Sequence, residues 1–203
     1  MSALVIVTAA PTGPVTLAEA KSHLRVDLSA DDTLISALLS AVTDEVEDLT
    51  ARKLVTQTWK WFFDAFPEGD TLLFPVVPVS SVTHVKTYDQ ESPATETTFA
   101  STSYIVDTTS EPARLVLRSA SSWPTDTLRE VNGVEVQLVS GYGAAATVPE
   151  RLKLAIKIWV AHLYENREAL APVSLQEIPL SVMALLAEYT AWNKFGHAGL
   201  DPQ

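Results

Sequence analysis

Thr56-Gln-Thr-Trp-Lys-Trp-Phe-Phe63 is where the periodicity of this chain changes. Trp59, Trp61 and Phe63 recur at a period of two, which puts three large rings on one face of a strand. Immediately upstream the period is helical. Between residues 31 and 53, Leu34, Leu38, Val42, Val46 and Leu49 recur every three or four positions, with Ile35 and Leu39 widening the stripe. Asp31 and Asp32 suit the positive end of that helix, and Arg52 and Lys53 its negative end. Asp44, Glu45, Glu47 and Asp48 are expected on its wet face. A shorter helix is predicted over 16–25, where Thr16 and Glu19 make a capping box and Leu17, Ala20 and Leu24 share a face.

Downstream, strand-like runs follow at Thr71–Phe74, Val79–Tyr88, Tyr104–Asp107, Arg114–Leu117 and Val134–Ser140. Prolines 67, 75, 78, 93, 112 and 124 punctuate them, and Asn132-Gly133 is a turn signal. Such short, proline-bounded runs predict a small antiparallel sheet or barrel rather than βαβ units. Helix returns at Pro149, which suits the first helical position; Leu152, Ile156, Trp159 and Leu163 then share a face, and a last helix is expected from Pro179 to about Phe195. The predicted fold class is α+β: a helical bundle of N- and C-terminal helices with an inserted antiparallel β region. The expected divisions are 1–54 (helical), 55–148 (β), 149–195 (helices completing the bundle) and 196–203 (tail).

The two closing helices are unusually uncharged. Ile158 to Tyr164 carries no formal charge, and Leu180 to Phe195 only Glu188 and Lys194. A helix apolar around most of its circumference must be covered on several sides, by its own chain or by neighbours. Packing against copies or a partner is therefore expected before any catalysis.

Composition narrows the classes. The formal charge is −11. Acids outnumber bases eight to four over 1–54 and eleven to five over 55–148, but nearly balance beyond. Phosphate-driven nucleic-acid binding needs clustered Lys and Arg, which this chain lacks. An acidic surface aids solubility and would also repel DNA. There is no cysteine, so disulfides and thiolate chemistry are excluded. No apolar run reaches a membrane span, and residues 1–10 lack the basic leader of a signal peptide.

Chemistry-bearing motifs are weak. His162, Glu165 and Glu168 at helical spacing could face a metal from one side, or simply pack and cap. Gly141-Tyr142-Gly143 lacks the rest of a phosphate loop and reads as a tight strand-to-helix connection. No nucleophile elbow is present. No cofactor is expected. A small acidic enzyme with its site between helical and β parts stays open as an alternative, as does an acidic DNA mimic.

Several motifs in order resemble the head–tail connector (adaptor) proteins of tailed phages and phage-like gene transfer particles. They are Val15-Thr-Leu-Ala-Glu-Ala-Lys-Ser-His-Leu-Arg-Val26, Asp31-Asp32-Thr-Leu-Ile35, Thr56-Gln-Thr-Trp59, Pro78-Val-Ser-Ser-Val-Thr83, Trp123-Pro124, Gly141-Tyr142-Gly143, His162-Leu-Tyr-Glu-Asn-Arg-Glu168, Ile178-Pro179 and Ala184-Leu-Leu-Ala187 with Tyr189. The resemblance implies a non-enzymatic virion component, made in the bacterial cytoplasm and located in the particle neck. It implies a ring of about twelve copies below the portal protein, which extends the channel for double-stranded DNA without binding it specifically. The far face would meet the next neck or stopper protein. It further implies that the C-terminal segment docks on the portal, which in this chain would use Trp192, Phe195, His197, Leu200 and Asp201.

Overall fold

The structure is a computed structural model; it describes residues 2–124, 127–166 and 178–196, the side chains of 191–196 excepted. The chain forms two units, each assembled from separate stretches. One contains residues 2–10 and Thr56–Tyr142; the other contains Pro11–Val55 and Gly143–Phe195.

The first unit is built from β1 (Ser2–Thr8), β2 (Gln57–Phe63), β3 (Thr71–Leu73), β4 (Val79–Tyr88), β5 (Glu96–Phe99), β6 (Tyr104–Asp107), β7 (Arg114–Leu117) and β8 (Val134–Ser140). They form two antiparallel sheets, ordered β1-β2-β8-β4-β5 and β3-β7-β6. The period of two in β2 sets the register: Trp59, Trp61 and Phe63 stand opposite Leu138, Val136 and Val134 of β8. All six side chains are buried, in one cluster with Val85, Phe74, Tyr104 and Leu115. Each large apolar group buried there contributes about 1.5–3 kcal/mol. Ring contacts continue outward from Trp61 to Phe63 at 4.6 Å, and Phe66 stacks on Trp123 at the same centroid distance.

The expected strands are present, but two further strands change the picture. Ser2–Thr8, grouped on sequence with the helical part, is a strand paired along β2 from Ser2↔Phe63 to Thr8↔Thr58. Glu96–Phe99 extends the opposite edge by pairing with β4. The β region is thus two sheets around a shared core rather than one small sheet or barrel.

The second unit contains α1 (Leu17–Leu24), α2 (Asp32–Thr50), α3 (Glu150–Glu165) and α4 (Leu180–Gly196). The capping box at α1 forms as expected: Glu19 N–H donates to Thr16 Oγ1 at 3.2 Å, and Thr16 N–H donates to Glu19 Oε2 at 2.7 Å. The Thr16 backbone N–H, together with the Thr16 hydroxyl that also donates to Glu19 Oε2 at 2.7 Å, holds the Glu19 carboxyl below its ordinary pKa. Arg25 and Ala51, both with positive φ, close α1 and α2.

The buried face of α2 is turned from the expected stripe. Ile35, Leu39, Val42, Val46 and Thr50 form its centre, while Leu34 is exposed. Glu47 is also a correction, because it is buried rather than on the wet face. Its Oε1 accepts the Leu54 backbone N–H at 2.9 Å, and its Oε2 pairs with Lys53 Nζ at 2.9 Å. The carboxylate therefore satisfies a backbone donor beyond the helix end, which would otherwise be orphaned.

Candidate functional site

The candidates are surfaces and one polar cluster. The cluster lies on the face of the large sheet opposite the aromatic core. Glu135 of β8 is 2% exposed yet charged by type. Lys60 Nζ and His84 Nε2 each lie 2.9 Å from its Oε1, and the Tyr88 hydroxyl donates to its Oε2 at 2.8 Å. Burial pushes the Glu135 carboxyl up, but hydrogen bonds from His84, Lys60 and Tyr88 outweigh burial and leave it below its ordinary value. Burial, and then the hydrogen bond to Glu135, pushes the Tyr88 phenol up to about 12. Alternation explains how the sequence builds this: Glu135 falls between core residues Val134 and Val136, and Lys60 between Trp59 and Trp61. Fully satisfied, such a network joins three strands rather than offering an open reagent.

The closing helices behave differently from each other. Along α3, Leu152, Lys153, Ala155, Ile156, Trp159 and Val160 are buried, so the chain itself covers most of that apolar surface. Tyr164 donates its hydroxyl to Asp31 Oδ2 at 2.5 Å, which ties the end of α3 to the start of α2. On α4 the described side chains bury only Val182 and Leu186, one turn apart. Leu180 is 88% exposed, and Met183, Ala184 and Ala187 are exposed as well. Arg52 holds α4 through its Nε, which donates to the Tyr189 carbonyl at 3.4 Å, with the guanidinium 5.5 Å from the Tyr189 ring centroid. Arg151 pairs with Glu188.

A third surface was not expected from the sequence. β1 is exposed along its whole length, with Leu4, Val5, Ile6 and Val7 at 38%, 49%, 51% and 48%. Among the described residues no strand pairs with its outer edge. The signal available in the sequence was the lack of any charge from Ser2 to Ala18 and the apolar run at residues 4–7.

Of the residues implied for portal docking, Trp192 and Phe195 lie within α4 with side chains outside the described set, and His197, Leu200 and Asp201 lie outside the described residues. His162 and Glu165 sit on α3, Glu168 is outside, and no metal-holding group of three or more His, Asp or Glu occurs among the described residues. Gly141 and Gly143 both have positive φ, near 120°, which glycine adopts without strain. A Cβ on Gly143 would meet Thr147 Oγ1 at 2.6 Å. No described helix is long and apolar enough to cross a membrane.

These features are interaction surfaces, and comparison with known proteins shows what the chain resembles. Residues 14–111 match the family of phage gp6-like head–tail connector proteins, so the resemblance drawn from the motifs holds. That family is one of structural connectors. No curated protein sequence matches the chain. Among solved structures, a chain of "Virion of native gene transfer agent (GTA) particle" is similar, with 26% identity and a TM-score of 0.75. A chain of "Neck of empty GTA particle computed with C6 symmetry" is 26% identical with a TM-score of 0.73. A chain of "Neck of native GTA particle computed with C12 symmetry" is 25% identical with a TM-score of 0.72. Each alignment covers 92% of this chain and 94% of the other.

Proposed function

We propose that this chain is a structural head–tail adaptor of a phage or phage-like particle. It forms a ring of about twelve copies in the neck, below the portal, and joins the capsid to the next neck protein. The supporting observation is the likeness over 92% of the chain to a neck chain in a particle computed with C12 symmetry. Two physical features agree with that role. The exposed apolar residues of α4 are surface that obligate assembly interfaces use. The charge of −11 per copy, multiplied around a ring, repels a passing duplex and keeps it from adhering to the channel wall. The segment from Trp192 through Phe195, His197, Leu200 and Asp201 is the proposed portal-docking element. The work is mechanical and electrostatic, and no bond is made or broken.

Negative-stain imaging of the purified chain, alone and mixed with the portal protein of the same particle, tests this reading. Closed rings that stack on the portal are expected. Removal of residues 196–203 is expected to weaken portal attachment and leave the circular dichroism spectrum unchanged. Particles that never close into rings, with or without portal, would remove the adaptor assignment.

A further inference from the structure

We infer that β1 is a docking edge for a second copy of this chain, joining the large sheet of one subunit to that of the next. The inference rests on the ring proposed above and names the surface that closes it.

An edge strand exposes a row of backbone donors and acceptors, and soluble proteins usually blunt such edges with charge, proline or a bulge directed against pairing. From Ser2 to Thr8 there is neither charge nor proline. The register irregularity between Ile6 and Thr8 falls near one end and leaves Ser2 to Ile6 evenly paired to β2. Apolar side chains project on both faces, which fits an edge meant to be continued by another sheet.

The occupant follows from charge and direction. Two copies at −11 each repel overall, which favours contact through stretches free of net charge. The sheet has two such edges, β1 and β5. The one charged residue of β5, Glu96, is paired with Lys86 Nζ at 2.8 Å. Every neighbouring pair in β1-β2-β8-β4-β5 is antiparallel, so four reversals leave β1 and β5 running the same way. A copy rotated about an axis roughly along the strands therefore brings its β1 beside β5 in parallel pairing. That contact is head-to-tail: it uses two different edges, leaves the same two free, and ends only by closing a ring. A β1–β1 contact would stop at a dimer.

The test uses the full chain. Native mass spectrometry and sedimentation compare wild type with Val7→Lys, with the double variant Ile6→Thr/Val7→Thr, and with Val131→Lys. The lysine at position 7 lowers the net negative charge, so lost assembly cannot come from added repulsion. Val131 is 67% exposed and lies outside β1, which makes it the matched charge control. Rings are expected for wild type and Val131→Lys. Both β1 variants should need roughly tenfold or more protein to assemble, the equivalent of about 1.4 kcal/mol per contact. Hydrogen exchange on wild type, which needs no variant, should show amides of residues 2–8 and 96–99 gaining protection on assembly. Rings that persist in both β1 variants, or a ring with unprotected β1 amides, overturn the edge while leaving the adaptor reading intact. A wild-type chain that stays monomeric, or stops at a dimer, both alone and with the portal protein present, overturns both the ring and the edge.

Discussion

The Tyr88 hydroxyl donates to the buried Glu135 carboxylate at 2.8 Å, so one acceptor on the central strand β8 holds a phenol from β4. Lys60 from β2 and His84 from β4 complete its partners. Glu135→Ala strips all of these donors of their acceptor at once. A loss of about 2 kcal/mol in urea unfolding is expected, and about 1–2 kcal/mol for Tyr88→Phe, which removes a single hydrogen bond to a charged group. Equal stability of Glu135→Ala and wild type would show the cluster to be ornamental.

The same cluster sets two pH limits. Glu135 has a folded pKa below its ordinary 4.5, so its contribution is complete above that value and is lost as pH falls through the lower folded one. Tyr88 has a folded pKa raised from 10.0 to about 12, so its contribution is complete below pH 10 and is lost as pH climbs between the two values. Ultraviolet titration of tyrosine should therefore show a phenol ionising near pH 12 that disappears in Tyr88→Phe. A phenol lost instead near pH 10 would contradict the raised value.

Glu47 and its neighbours on α2 separate by burial. Glu47→Ala leaves the Leu54 N–H without its carboxylate acceptor and removes the ion pair to Lys53, and is expected to cost about 2 kcal/mol. Asp44→Ala and Glu45→Ala, both exposed, should stay within about 0.5 kcal/mol of wild type. Thermal unfolding of the three single variants decides whether the run acts as one wet face or as two kinds of position.

Gly133 is constrained by its surroundings rather than by its φ. An added Cβ would lie 2.8 Å from the Asp64 carbonyl and 2.9 Å from that of Arg129, both backbone atoms that cannot swing away. Gly133→Ala is expected to cost about 2–3 kcal/mol, within the range of severe overpacking. Gly69→Ala meets nothing within 4 Å and serves as the comparison. Chemical denaturation of both variants reads the difference.

Much of the β unit was legible because alternation forces a face. Trp59, Trp61 and Phe63 could occupy one side of a strand only, and the core formed there. β1 escaped because Leu4-Val5-Ile6-Val7 has no alternation: both faces are exposed, so no buried side imposed a polar partner pattern. β5 escaped because Glu96-Thr97-Thr98 carries no apolar signal and pairs through backbone. On α2 the period was right and the phase was not, since a wide stripe leaves several faces equally apolar until packing selects Ile35 over Leu34. Glu47 and Glu135 were missed for one shared reason. Residue type suggests solvent, and only the spatial arrival of Leu54, Lys60, His84 and Tyr88 makes burial affordable in free energy.

Because both units are stitched from separated stretches, synthesis imposes an order on them. α1 and α2 emerge early, yet the α3 face that α2 packs against lies a hundred residues further along, from Thr50 to Glu150. The strands from Thr56 to Tyr142 can meanwhile find Ser2–Thr8, already outside the ribosome, and complete their core first. The helical unit is thus the last to close, and a nascent chain stalled before α3 would carry a finished sheet and an unclosed helical half.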